Sequence, residues 1–277
     1  MSAKPWGLYT GLALLLLLLS GVLWPGLWAP HDPLAQDWLR RLEPPSAQHW
    51  LGTDVLGRCV WSRVVWAARV SLGAALLAAA ALCLLALVWG LAAAVSAQSA
   101  RWRWIDAVLM RSADVLLAFP TLVLALAVIG VLGPALLTLL LALVIAWTPA
   151  MARLVRVMAL EALARDYVRA AHAAGLSLPR LVPRHVLPPL LGPLAVLASL
   201  ETAGVILAFA SLSFLGLGAQ PPTPEWGLML SEARPFFQTA PHLLWGPGLA
   251  LLLTALVFNL LGEGLRTQID SRAVLRW

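Results

Sequence analysis

Charge is what this sequence has least of. Only 12% of its 277 residues are Asp, Glu, Lys or Arg, about half the share usual in soluble domains. With 61% hydrophobic residues and a mean hydropathy of +0.86, a water-soluble globular protein is excluded and a polytopic, all-α membrane protein is expected. Lysine is nearly missing: Lys4 stands alone, so no phosphate-binding loop of the form Gly-x4-Gly-Lys-Ser/Thr exists. The two cysteines, Cys59 in a polar loop and Cys83 inside an apolar run, imply no disulfide framework. None of the five histidines, His31, His49, His172, His185 and His242, belongs to a His-Glu-x-x-His pair, and Gly175-Leu176-Ser177-Leu178-Pro179 misses the Gly-x-Ser-x-Gly elbow by one residue. No enzymatic activity, cofactor or metal site is therefore expected, and His172 and His185 read as solvated or docking residues. Nor is there a basic surface interleaved with aromatics, so the net charge of +6 is assigned to membrane orientation and not to nucleic acid.

What is present is a series of apolar runs. The first, Leu8 to Trp24, resembles a signal peptide, but only Trp24, Pro25 and bulky residues follow where a small-x-small cleavage site would lie, so a retained first span (1–28) is expected. Its Gly7 and Gly11 read as lipid-compatible filler, not a helix-contact motif. Residues 29–68 form a polar, Pro-containing segment on the outer side, closing in an amphipathic helix with Trp61, Val65 and Ala68 on its apolar face. Thr53 or Asp54 should cap that helix; Asp54 and Arg58 have the makings of a catalytic or metal pair but read more simply as a cap beside a solvated arginine. Further spans are expected at about 70–95, 115–132, 135–151, 192–214 and 243–261, with Arg101, Arg103, Arg111, Trp102 and Trp104 in an inner loop, Gly133-Pro134 in an outer turn and Pro149 kinking the fourth span. The fifth span carries Glu201 and Thr202, and an acidic residue inside a span is costly unless it faces water or a partner. These two are the candidate pathway residues; the alternative for Glu201 is pairing with another chain.

This layout gives six transmembrane helices, a core over 69–266 and a tail over 267–277, with both termini cytoplasmic. It places Lys4, Arg101, Arg103, Arg111, Arg153, Arg156, Arg165, Arg169, Arg180, Arg184, Arg266, Arg272 and Arg276 inside, and only Arg40, Arg41, Arg58, Arg63, Arg69 and Arg234 outside. The positive-inside rule selects this orientation over its inverse.

The most polar interruption is 161–190, EALARDYVRAAHAAGLSLPRLVPRHVLPPL. Its first half, Ala162 to Ala174, is rich in helix formers and ends at Gly175, which can adopt a left-handed cap. Ser177 should cap a second helix with Pro179 in its first turn, and Pro183 and the Pro188-Pro189 pair should end it. The expected product is a cytoplasmic helix–Gly–helix loop.

That stretch resembles the EAA loop in the permease subunits of bacterial ABC importers: Ala170, Ala171, Gly175, Leu187 and Pro188 stand at the matching spacings, while Arg169 replaces the family's Glu and His185 its Ile. Two more segments are similar to the dipeptide, oligopeptide and nickel branch of that family: HWLGTDVLGR from His49 to Arg58, and the SFLGLG run with PPTPEWG, from Ser213 to Gly227. The segment Phe258 to Arg266 is close to the branch's usual ending. The resemblance implies an ATPase-coupling loop carried by Arg169, Ala170, Ala171, Gly175, Leu187 and Pro188. It also implies two separate ATPase subunits, a second homologous permease subunit, a periplasmic or lipid-anchored substrate-binding protein and residence in the bacterial inner membrane among its lipids. Small peptides are the implied cargo, with nickel or a metal chelate as the alternative. A self-contained secondary transporter or channel using Glu201 is the competing class, but no inverted repeat is visible and the elbow would then have no purpose.

Overall fold

The computed structural model describes residues 6–274, with side chains from 7 to 269. Lys4, Arg272 and Arg276 of the charge count therefore lie outside the described side chains. In chain order, α1 (Trp6–Leu23) is followed by the single turn α2 (Pro25–Trp28), then by an irregular segment across 29–59 and by α3 (Val60–Ala97). Next come α4 (Arg103–Leu117), α5 (Thr121–Leu132), α6 (Leu136–Leu163), α7 (Asp166–Ala173), the turn α8 (Leu178–Leu181), α9 (Leu187–Phe214), α10 (Trp226–Ala233) and α11 (His242–Val274). No strand occurs among the described residues; the sole β-type pairing is the isolated Thr53 to Cys59 bridge.

Four helices are long and apolar enough to cross a membrane: Val60–Ala97, Leu136–Leu163, Leu178–Phe214 and His242–Ile269. The pair Arg103–Leu117 and Thr121–Leu132 makes a fifth if counted as one span, although it bends by 91°. Across that break Phe119 precedes Pro120, which supplies no backbone donor and disfavours helical geometry in its predecessor. The sequence pattern predicts one straight span over 115–132; proline instead divides it. The expected inner loop around Arg103 and Arg111 is likewise helical, as part of α4. The apolar helix α1 is shorter than the other four.

α3 starts ten residues before the expected span and absorbs the amphipathic helix, because nothing from Val60 to Ala97 interrupts helical hydrogen bonding. The boundary drawn at 68/69 thus falls inside it. At 38 residues, about 57 Å long, α3 overruns a bilayer core and serves as the central post. Its small residues Ala75, Ala78, Ala79, Ala86, Ala93 and Ala94 are all buried, and Gly90 brings it against α6: a Cβ there would lie 2.6 Å from the Ala152 carbonyl oxygen and from Val155 Cβ. α6 continues through Pro149 to Leu163, well past the expected end at Met151.

α9 and α11 pack on the same post, and α1 lies along α11. Gly11 meets Leu261, and a Cβ at Gly264 would fall 2.8 Å from the Leu8 backbone, whereas Gly7 faces open space. Gly11 is therefore a helix contact, contrary to the filler expectation, and its counterpart is Gly264 and not Gly7. Outward, Leu16, Leu17, Leu77, Leu84, Val131, Leu137 and Leu252 are more than half exposed. So much apolar surface suits lipid or partner helices and not water.

Candidate functional site

At one end of the bundle, α6, α7, α8 and the start of α9 build the elbow expected from 161–190. Asp166 opens α7 in its first turn, where a negative charge meets the positive end of the helix dipole. The far end closes as predicted at Gly175, whose φ is +92°. Leu176 N–H donates to Ala171 O at 3.1 Å and Gly175 N–H to His172 O at 3.0 Å, the reciprocal pair of a Schellman termination.

The second arm departs from expectation. Ser177 occupies the cap position but makes no side-chain cap bond, and the prolines do not end the helix. Val182–Val186 forms a π turn that shifts the hydrogen-bond register. Pro188 and Pro189 then enter the first turn of α9, where backbone N–H groups need no partner within the helix. The arm therefore runs into α9 without a stop. Tyr167 Oη donates to His185 O at 3.3 Å, tying the two arms together.

A private apolar cluster seats the elbow. Val168, Leu181, Val186 and Leu190 pack with Ala94 of α3 and with Ala159, Ala162 and Leu163 of α6. The opposite face is open: Arg169 and Ala170 are exposed, Ala171 and Leu187 half-buried, Pro188 exposed, and Gly175 exposed with open space beside it. The elbow thus couples an anchored inner face to a free, polar outer one. Glu201 and Thr202 are not part of it. Thr202 is buried and its hydroxyl donates to Ala198 O at 2.7 Å within α9. Glu201 is half-buried and has no hydrogen bond or ion pair among the described residues.

Three further polar groups brace this frame, of which the sequence singled out only Asp54 with Arg58, and in another role. Next to the elbow, Arg156 of α6 grips Asp106 of α4 with two hydrogen bonds of 2.6 Å, and Arg153 pairs with Asp114. At the opposite end, Arg58 is not solvated. Its Nε donates to Asp54 Oδ2 at 2.6 Å, Arg63 Nη1 reaches the same oxygen at 2.6 Å, and both arginines meet Glu232 Oε2 at 3.3 and 2.8 Å. Asp54 does not cap α3 either. Cys59 holds that position without a side-chain bond, while Asp54 Oδ1 accepts from Leu56 and Arg58 N–H and fixes the loop before it.

Glu225, the third group, caps α10 through Gly227 and Leu228 N–H and accepts from Ser71 Oγ of α3 at 3.0 Å. Burial pushes its carboxyl pKa up, and those donors pull against the shift. Beside it, Trp226 Nε1 donates to Val64 O at 2.9 Å. Spacing pairs only Asp54 with Arg58; Glu232, Ser71 and the Asp106–Arg156 partners lie too far along the chain to be paired that way. The loop expected from Leu212 onward also starts later, because α9 holds its helix to Phe214.

A long-helix bundle with a lipid-compatible surface, carrying at one end a seated elbow with one open face, defines a multi-pass membrane protein. Residues 86–274 match the model of the binding-protein-dependent transport system inner membrane component. The dipeptide transport system permease protein DppC of Alkalihalophilus pseudofirmus is 38% identical over 84% of this chain and 75% of its own length. The glutathione transport system permease protein GsiD of Pectobacterium atrosepticum is 40% identical over 93% and 84%, and the nickel transport system permease protein NikC of Escherichia coli 38% over 97% and 95%. The chain belongs to the binding-protein-dependent transport family, as an ABC importer permease of its peptide and nickel branch.

Proposed function

We propose that this chain is one half of the pore of an ATP-driven importer of small peptides, working in the bacterial inner membrane with six spans and both termini in the cytoplasm. The observation that carries the reading is the elbow: a Gly175-hinged loop fastened by its own apolar cluster to α3, α6 and α9, with its polar face free. Two separate ATPase subunits dock on that face, through Arg169, Ala170, Ala171, Gly175, Leu187 and Pro188. When ATP closes them, the seated side passes the displacement to the long helices, which alternate between inward and outward openings.

A similar but non-identical permease forms the other half of the pore, and a periplasmic or lipid-anchored binding protein delivers the cargo. Glu201, half-buried on α9 and without an ion-pair partner among the described residues, faces the pathway or the companion permease. Relatives named for dipeptide, glutathione and nickel transport support a peptide first and nickel or a metal chelate second.

Proteoliposomes carrying the chain with its co-purifying subunits and the neighbouring binding protein test this. Labelled dipeptide should enter only with ATP, and Gly175→Pro should remove both uptake and stimulation of ATP hydrolysis while membrane insertion persists. ATP-independent uptake by the chain alone would overturn the reading; uptake of Ni2+ but not of peptide would transfer it to the metal alternative.

A further inference from the structure

The irregular segment 29–59 gathers three metal-ligating side chains that lie far apart in sequence. His31, His49 and Cys59 each offer one donor atom, and these atoms all lie within 4.8 Å of one another. The backbone holds them there independently. His31 N–H donates to Ser62 Oγ at 3.1 Å, His49 exchanges bonds with Ser46 at 2.9 and 3.1 Å, and Cys59 is fixed by its bridge to Thr53 immediately before α3.

Two of the donors are removed from water: His49 is 8% and Cys59 2% exposed. His49 Nδ1 is buried with no hydrogen-bond partner, a cost that native proteins rarely leave standing. The rings of His31 and His49 sit 4.6 Å apart, tilted by 34°. His31 alone is exposed, which leaves one approach from solvent.

We propose that His31, His49 and Cys59 form a binding site for a resident borderline transition cation of the Zn2+ type. Two imidazoles and a thiolate suit such an ion and not Mg2+ or Ca2+, which prefer oxygen. Donors around a tetrahedral Zn2+ stand about 3.5 Å apart, so from separations within 4.8 Å the set contracts by at most about 1.3 Å, a movement open to the exposed His31. Binding deprotonates Cys59, the proton passing to solvent, and water fills the fourth position. The ion would pin 29–59 onto the start of α3. Sequence spacing argued against metal because it looks for ligands on one helix or in close pairs, whereas these arrive from three turns. The site stands independently of the transport cycle proposed above, and burial of Cys59 fits a retained ion better than a passing one.

The test uses the full chain with its co-purifying subunits in nanodiscs, carrying a histidine-free affinity tag, titrated with Co2+ and then Zn2+. One Co2+ per chain should bind with a thiolate-to-cobalt charge-transfer band in the near ultraviolet, and Zn2+ should abolish the band. Cys59→Ser should lose it, Cys83→Ser should keep it, and His31→Ala, at an exposed ring, should weaken Co2+ binding by about tenfold or more with folding intact. Absence of the band in the parent protein, a band that survives Cys59→Ser, or unchanged affinity in His31→Ala would overturn the proposal; should Cys59→Ser misfold, His31→Ala decides it.

Discussion

Arg63 shows how much of this molecule rests on single side chains. Its side chain is 2% exposed, and its Nη1 bridges Asp54 at 2.6 Å and Glu232 at 2.8 Å. Removing a partner from a buried ion pair leaves a charge without compensation, so Arg63→Met should destabilise the protein by about 3 kcal/mol, the lower end of the usual range because Arg58 still holds Asp54. Glu232→Gln, at a side chain 23% exposed, keeps the shape but leaves two buried arginines to share Asp54, and should cost about 1–3 kcal/mol. Thermal unfolding in detergent, followed by tryptophan fluorescence, measures both; no loss in either variant would mean that the cluster is not what braces this end. Sequence placed Asp54 near Arg58 but assigned the arginine to solvent. It is buried and also meets Glu232, 174 positions away, and no local pattern reports that distance.

Proline and glycine behave differently from helix to helix, and this limited what could be read from the sequence at the level of elements. Pro120 breaks a span by 91°, while Pro149, Pro188 and Pro189 lie within or at the start of continuing helices. Pro188 and Pro189 are absorbed by the π turn before them and by the free first turn of α9, whereas α6 carries Pro149 in its interior without a break. Gly175 was legible because a left-handed terminus leaves few alternatives. Gly175→Ala should cost the elbow about 1–2 kcal/mol of local stability, read as faster amide exchange across 166–176 with the rest of the chain unchanged. Gly90 was not legible, since its role depends on α6 crossing at that height. Gly90→Ala must displace the Ala152 carbonyl or Val155 and should destabilise by about 1–3 kcal/mol. Gly73→Ala, on the same helix with nothing within 4 Å, should be neutral or gain about 0.5–1 kcal/mol. Loss of stability in both would point to helix flexibility and away from close packing.

For the whole molecule, the arrangement of ends follows from contacts and not from charge. Arg69 of α3 donates to Val22 and Leu23 carbonyls at the end of α1, and Trp226 reaches Val64, so the segment 29–59, the start of α3 and α10 share one end. Ala94, Leu163 and Leu190 meet beneath the elbow at the other. Arg153, Arg156, Arg165, Arg169, Arg180 and Arg184 all follow the second half of α6 to that elbow end, which is where the positive-inside rule puts the cytoplasm. Single cysteines at His172 and at Leu39, which is 96% exposed, should react with a membrane-impermeant maleimide from opposite faces: Leu39→Cys in intact spheroplasts, His172→Cys only in inverted vesicles. Native Cys59 is buried and Cys83 half-buried in a span, so background labelling should be small. Labelling of both positions from one side would overturn the proposed orientation and with it the proposed docking of ATPases on the elbow; opposite-face labelling is the outcome that the proposed function requires.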